Sequence, residues 1–315
     1  MKRKAIIFGI KEFKLSRAEK ILIKKNKPWG IILFSRNIKN IKQVKELIKE
    51  IKLIIGDNKY PILIDQEGGA VCRLNRIFDM SIFTQEYFGK LYTSNKKLFF
   101  TYYKIYIDAV SDILNIIGIN INTSPVLDVR RSDAHNIIGN RSFSKKTNIV
   151  KFLGKICINL YSKNKIGTVI KHVPGHGASA VDSHKKLPTI NISKKDLSKK
   201  DFRPFVGTNS FFAMTAHIIY SKIDKNNTAT HSKLLIKKII RKHFGFKGIL
   251  ISDDISMKAL KYDLETNAKK AIDAGCNIIL HCNGNIKEMN KLSKIVPNID
   301  SFTIKKTSDF YNFLG

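Results

Sequence analysis

At 315 residues and 43% hydrophobic content, the chain can bury a full core, and no apolar run reaches the roughly 18 residues that cross a bilayer. The net charge of +32 does not by itself mark a nucleic-acid partner, because 47 of the 57 basic residues are lysines scattered as in Lys24-Lys25, Lys199-Lys200 and Lys237-Lys238, with no arginine stripe. Four cysteines (Cys72, Cys157, Cys276, Cys282) without C-x-x-C spacing exclude a zinc-ribbon or disulfide framework and fit reduced thiols in a cytoplasmic protein.

The first apolar run, Ala5–Ile10, is shorter than the about 7–15 residues of a secretory h-region and reads as a β-strand. Further strands are expected at Gly30–Phe34, Pro61–Asp65, Gly118–Asn122, Thr168–His172, Phe211–His217, Gly248–Ser252 and Asn277–His281. Helical patterning runs through Ile41–Ile55, Tyr102–Ile116, Asn148–Ser162, Ser232–His243 and Asn267–Ala274, with Ser232 as an N-cap and Gly275 as a stop. Strand–helix alternation points to parallel strands with right-handed crossovers. Eight such strands predict an α/β fold, a closed (β/α)8 TIM barrel; a doubly wound open sheet is the alternative. No linker or repeat breaks the series, so residues 1–315 read as a single domain.

Polar residues fall where these strands end. Arg36 and Asn37 follow the second, Asp65, Gln66 and Glu67 the third, Lys171 and His172 the fifth, His217 the sixth, and Asp253 and Asp254 the seventh. In a barrel all of these ends meet at the C-terminal mouth, where the active sites of this fold lie.

Asp253 closes the run Gly248-Ile-Leu-Ile-Ser-Asp-Asp, and a rigid strand would hold its carboxylate as a nucleophile for a sugar's anomeric carbon requires. The same position also suits a helix N-cap, and Asp254 looks more like the capping residue of the pair. Asp182 and His184 lie on the glycine-rich loop Val173-Pro-Gly-His-Gly-Ala-Ser-Ala-Val-Asp-Ser-His. That loop can fold Asp182 onto the imidazole and make His184 a general acid/base. A competing reading is an N/O metal site from His172, His176, Asp182 and His184, although their spacing matches no defined metal motif. Asp65 at a strand end can accept two sugar hydroxyls, beside Gly68 and Gly69 and followed by Arg73. Arg141, Lys171 and His172 can complete a ring of donors around a polar ligand; a tight turn with solvated charges is the plainer alternative for the Asp65 segment.

With these residues in view, the chain resembles glycoside hydrolase family three. The motifs are ILFSRN at 32–37, IDQEGGAVCRL at 64–74, NTSPVLDV at 122–129, IGNRSFS at 138–144, KHVPGHG with DSH at 171–184, TAHIIYSKID at 215–224 and GFKGILISDDISMKA at 245–259. The resemblance implies a retaining β-N-acetylhexosaminidase that releases N-acetylglucosamine from the non-reducing end of muropeptides in peptidoglycan recycling. By motif match Asp253 would be the nucleophile, His184 the acid/base and Asp182 its partner. Asp65, Arg73, Arg141, Lys171 and His172 would hold the substrate. It implies no cofactor, no metal, no nucleic-acid or membrane partner, and a monomer. The chain departs from the family pattern at Ala70 (usually arginine), Asn140 (usually acidic) and Thr228 (usually proline). Loss of the carboxylate at 140 is expected to leave Arg141 less firmly held.

Overall fold

The computed structural model describes residues 2–131, 138–179 and 187–315. The strands are β1 (Lys4–Gly9), β2 (Pro28–Leu33), β3 (Ile62–Ile64), β4 (Ile121–Asn122), β5 (Gly167–Val173), β6 (Thr189–Ile190), β7 (Phe212–Thr215), β8 (Ile219–Tyr220), β9 (Asp224–Thr228), β10 (Ile249–Asp254) and β11 (Ile278–His281). The helices are α1 (Arg17–Asn26), α2 (Ile41–Ile55), α3 (Gln85–Ser94), α4 (Lys96–Ile117), α5 (Thr147–Lys163), α6 (Lys194–Lys199), α7 (Leu264–Ala274), α8 (Ile286–Ile295) and α9 (Ser301–Leu314).

Among the described residues eight strands close a parallel barrel in the order β1-β11-β10-β7-β5-β4-β3-β2. Closure comes from β1, which pairs in parallel with β2 (Ile7 opposite Gly30) and with β11 (Ile6 opposite Ile279). The open-sheet alternative is therefore excluded. These strands are buried on both faces, between barrel interior and helices, which is why they read as continuous apolar runs.

The helices follow the rules of capping and amphipathicity. In α2, Val44, Leu47, Ile48 and Ile51 are buried at i, i+3, i+4 and i+7. Asn40 caps its start, accepting from the Gln43 N–H at 2.9 Å, and Gly56 ends it at φ 74°. The expected strand Gly118–Asn122 is shorter at its N-terminal side: Gly118 closes α4 at φ 92°, its N–H donating to the carbonyls of Leu114 and Asn115. Helix α4 begins earlier than expected, because Asn95 caps it by accepting from Leu98 N–H at 3.1 Å. Ser232 does cap the next predicted helix, accepting from Leu235 N–H at 3.1 Å, but Leu235–His243 winds as a π-helix. Gly275 stops α7 at φ 115°.

Helices α1, α3, α6 and α8 lie outside the sequence reading, as do two further features. A small sheet, β6-β8-β9, sits apart from the barrel. Helix α9 seals the N-terminal end: Trp29 Nε1 donates to Thr307 Oγ1 at 2.9 Å, and Phe310 meets Phe212 edge-on at 5.1 Å between centroids. No described helix is long and apolar enough to cross a membrane.

Candidate active site at the C-terminal mouth

The end of β3 turns back on itself, and side-chain amides fix the turn. Asn122 at the end of β4 accepts from Gln66 N–H (3.0 Å) and donates to Gln66 O (2.9 Å). The Gln66 side-chain carbonyl then accepts from the N–H groups of Arg73 (2.8 Å) and Leu74 (3.1 Å). Between them the chain reverses through Gly68 and Gly69, both at positive φ (88° and 61°). A Cβ on Gly68 would lie 2.2 Å from the Phe83 carbonyl oxygen, so only glycine fits. This reversal brings Asp65, Glu67 and Arg73 to one side of the mouth, with Arg73 Nη2 donating to Asp65 Oδ2 at 3.0 Å.

Strand β5 adds Lys171 and His172 through a cis peptide, and both side chains line the cleft. Lys171 ion-pairs with Asp65 and, at 2.5 Å, with Glu67 Oε1. A 3-10 turn at Gly139–Arg141 presents Arg141, which grips Glu67 with two donors, Nε to Oε2 at 2.7 Å and Nη2 to Oε1 at 2.8 Å. His172 Nδ1 meets Asp128 Oδ2 at 2.6 Å, and Asp128 Oδ1 accepts from His176 N–H at 2.6 Å. A carboxylate only accepts, so Nδ1 of His172 carries the hydrogen and Nε2 is the ring's other polar atom.

Across the mouth, β10 runs buried from Ile249 to Ser252 and emerges half-buried at Asp253 and Asp254. Asp253 Oδ1 accepts from Asp254 N–H at 2.8 Å. Asp254 caps the turn that follows, accepting from Ser256 N–H (3.0 Å) and Cys282 N–H (3.3 Å). The N-cap reading for Asp253 does not hold, because the next helix, α7, starts at Leu264 and is capped by Asp263. His217 braces the strand end from β7: Nε2 donates to the Asp254 carbonyl at 2.9 Å, so Nδ1 accepts from Thr230 Oγ1 at 2.7 Å. Asp65, Arg73, Arg141, Lys171, His172 and Asp253 thus line one cleft with about 800 Å³ of empty space, its solvent opening included.

The model described as Glycosyl hydrolase family 3 N terminal domain matches residues 3–307. The chain belongs to glycosyl hydrolase family 3. A β-hexosaminidase of Psychromonas ingrahamii is 30% identical over 314 residues, covering 97% of this chain and 88% of that protein. One from Haemophilus influenzae is 32% identical over 287 residues, covering 89% and 79%. The crystal structure of NagZ from Neisseria gonorrhoeae in complex with N-trifluoroacetyl-D-glucosamine superposes with a TM-score of 0.87 at 27% identity, covering 100% of this chain and 90% of that one.

Charge in this family 3 glycoside hydrolase is held by pairing. Burial works against the ionised carboxyls of Asp65 and Glu67, yet adjacent cations outweigh it. Lys171 and Arg73 hold Asp65 far below the usual carboxylate range, and Arg141 and Lys171 lower Glu67. Burial opposes the Arg141 charge as well, but Glu67 holds its pKa above the ordinary arginine value. Burial also disfavours the Asp128 charge, and contact with His172 overcomes it. His176 goes the other way: burial, then neighbouring His172, push it down to about 4, so it is neutral near pH 7.

Asp182 and His184 lie outside the described residues. Among the described residues, no group of three or more His, Cys, Asp or Glu could hold a metal ion, and the rings of His172 and His176 lie 5.5 Å apart. Asn140 is exposed, and both guanidinium bonds of Arg141 among the described residues go to Glu67. Asp128 received no role from the sequence. Its signal was a carboxylate directly after the apolar Pro125-Val-Leu, a placement that is costly unless the charge finds a partner.

Proposed function

We propose that this chain is a retaining β-N-acetylhexosaminidase that releases non-reducing-end N-acetylglucosamine from peptidoglycan-derived muropeptides, acting as a one-domain cytoplasmic monomer over residues 1–315. The observation that carries the reading is one cleft lined by Asp253 on one wall and by Asp65, Arg73, Arg141, Lys171 and His172 on the other. The β-hexosaminidase relatives and the amino-sugar complex of the structural neighbour support the substrate class. The muropeptide and its cellular setting rest on the motif resemblance.

In this reading Asp65, Arg73, Arg141, Lys171 and His172 bind the sugar. An Asp253 carboxylate oxygen attacks C1, the bond from C1 to the leaving oxygen breaks, and His184, ordered by Asp182, gives that oxygen its proton. The product is a covalent glycosyl-enzyme. The now neutral His184 takes a proton from water, the water oxygen bonds to C1, and the Asp253 ester bond breaks to return the carboxylate. Most retaining glycosidases use a second carboxyl as the acid/base; an imidazole fills that part here, with an ordinary pKa already near neutrality. The transition state gathers positive charge at C1, which the Asp253 carboxylate also stabilises.

The test is hydrolysis of a chromogenic β-N-acetylglucosaminide by the purified protein, with and without chelator. Turnover should survive chelation and fall at least about 1,000-fold in Asp253→Ala. Near wild-type turnover in that variant would refute the nucleophile assignment, and activity lost to chelator would point to a metal-dependent hydrolase.

A further inference from the structure

Glu67 carries two of the cations that line the cleft, yet its own side chain is 1% exposed and is not among the lining residues. Its Oε1 is shared between Arg141 Nη2 (2.8 Å) and Lys171 Nζ (2.5 Å), and its Oε2 accepts from Arg141 Nε (2.7 Å). Lys171 in turn pairs with Asp65, whose other oxygen accepts from Arg73. One buried carboxylate therefore fixes a chain of four charged side chains that do reach the cleft. The backbone holds it as firmly, since Glu67 N–H donates to Val71 O at 2.9 Å inside the Gly68-Gly69 reversal.

We infer that Glu67 is a positioning residue for substrate binding: it sets the orientation of Arg141 and Lys171, and through Lys171 that of Asp65, without touching the sugar. This rests on the reading above that those three side chains bind the sugar. Two cations around one buried carboxylate make its charge indispensable, because a neutral group there would leave Arg141 and Lys171 to repel each other in a buried site. The same arrangement gives Arg141 a partner that does not depend on residue 140. Arg141 takes its bidentate partner from the β3 turn.

The experiment compares wild type, Glu67→Gln, Arg141→Ala and the double variant on the chromogenic β-N-acetylglucosaminide, with thermal melts alongside. Glu67→Gln should lower kcat/KM about 100-fold, mostly through KM, because the groups it orients meet ring hydroxyls rather than C1. The loss in the double variant should fall short of the sum of the two single losses, since Arg141 and Glu67 share both guanidinium bonds, while still exceeding that of Arg141→Ala because Lys171 also loses its partner. Additive losses, or a loss in Glu67→Gln that falls on kcat alone with KM unchanged, would overturn the inference. Should Glu67→Gln fail to fold, Glu67→Asp keeps the charge but is too short to span both cations. A raised KM in that variant supports the inference, and wild-type kinetics would overturn it. A wild type that does not hydrolyse the substrate removes the underlying reading and this inference together. An active wild type with an unaffected Glu67→Gln removes only this one.

Discussion

At the N-terminal end of the barrel, Trp29 and Phe212 pack with Phe310 of α9 and are almost fully buried, whereas at the C-terminal end Asp65, Glu67, Arg141 and Lys171 crowd into ion pairs. The two ends differ in what they contribute. Burying an aromatic ring stabilises the fold by roughly 1.5–3 kcal/mol relative to leaving it exposed. A buried ion pair contributes little net stability, because desolvation offsets attraction, but removal of one partner is severe. The lower end therefore carries stability and the upper end carries geometry, and variants at the two ends should fail in different assays.

Phe310→Ala should give the largest loss of stability. Its ring packs on Phe212 and Phe211 (5.1 and 5.4 Å between centroids), and a Cβ built on Gly167 would lie only 2.7 Å from it, so no space waits to be filled. A loss of about 3–5 kcal/mol is expected in denaturant unfolding, with kcat/KM unchanged well below the melting temperature. A variant that melts normally but turns over tenfold slower would erase the division between the two ends.

Asp128→Asn probes the upper end and should lose activity even where the folded state is fully populated. The amide can still accept from His172, but its charge is gone, and two N–H groups of the His172–His176 segment also depend on that side chain. The amide nitrogen can equally donate to Nδ1, so the His172 tautomer is no longer fixed, and kcat/KM should drop about 10–100-fold well below the melting temperature. A large fall in melting temperature with intact kinetics would show that Asp128 serves the fold and not the site.

This division also explains what could be read before the fold was known. The barrel strands were legible because burial on both faces makes each a continuous apolar run, as in Trp29–Leu33. Helix α9 was not: two of its buried positions, Thr303 and Thr307, are threonines, so the apolar stripe that marks a helix is broken. Strand β9 reads Asp-Lys-Asn-Asn-Thr and offers no alternation at all. At the site, strand-end position brought five of the cleft-lining residues into view: Asp65, Lys171, His172, Asp253 and Asp254. Glu67 and Asp128 act from behind that layer. Position along the chain suggests where a side chain points, but which cation it holds depends on contacts between segments some 70 residues apart, as for Glu67 and Arg141.

Acid separates the two ends in a further way, with a smaller effect. His231, buried at the upper end beside β9, donates from Nε2 to the Asn267 carbonyl at 3.2 Å. Burial, then neighbouring His217 and Lys270, push its imidazole down to about 4. An unfolded histidine titrates near 6.5. The folded-state value is therefore depressed: the neutral ring's contribution is fully present above pH 6.5 and is lost as pH falls towards 4, where the unfolded chain has already bound its proton. At pH 5 this single group should cost up to about 2 kcal/mol relative to pH 7.5. At the lower end, burial of Asp57 is outweighed by its bonds to Tyr311 and Arg3, so it titrates below the ordinary aspartate range and is untouched in that window. His231→Gln keeps a donor for Asn267 and removes the titration. Its melting temperature should therefore fall less than that of wild type between pH 7.5 and 5. Parallel decreases in the two proteins would mean that the acid sensitivity of the upper end resides elsewhere, with His176 the next residue to replace.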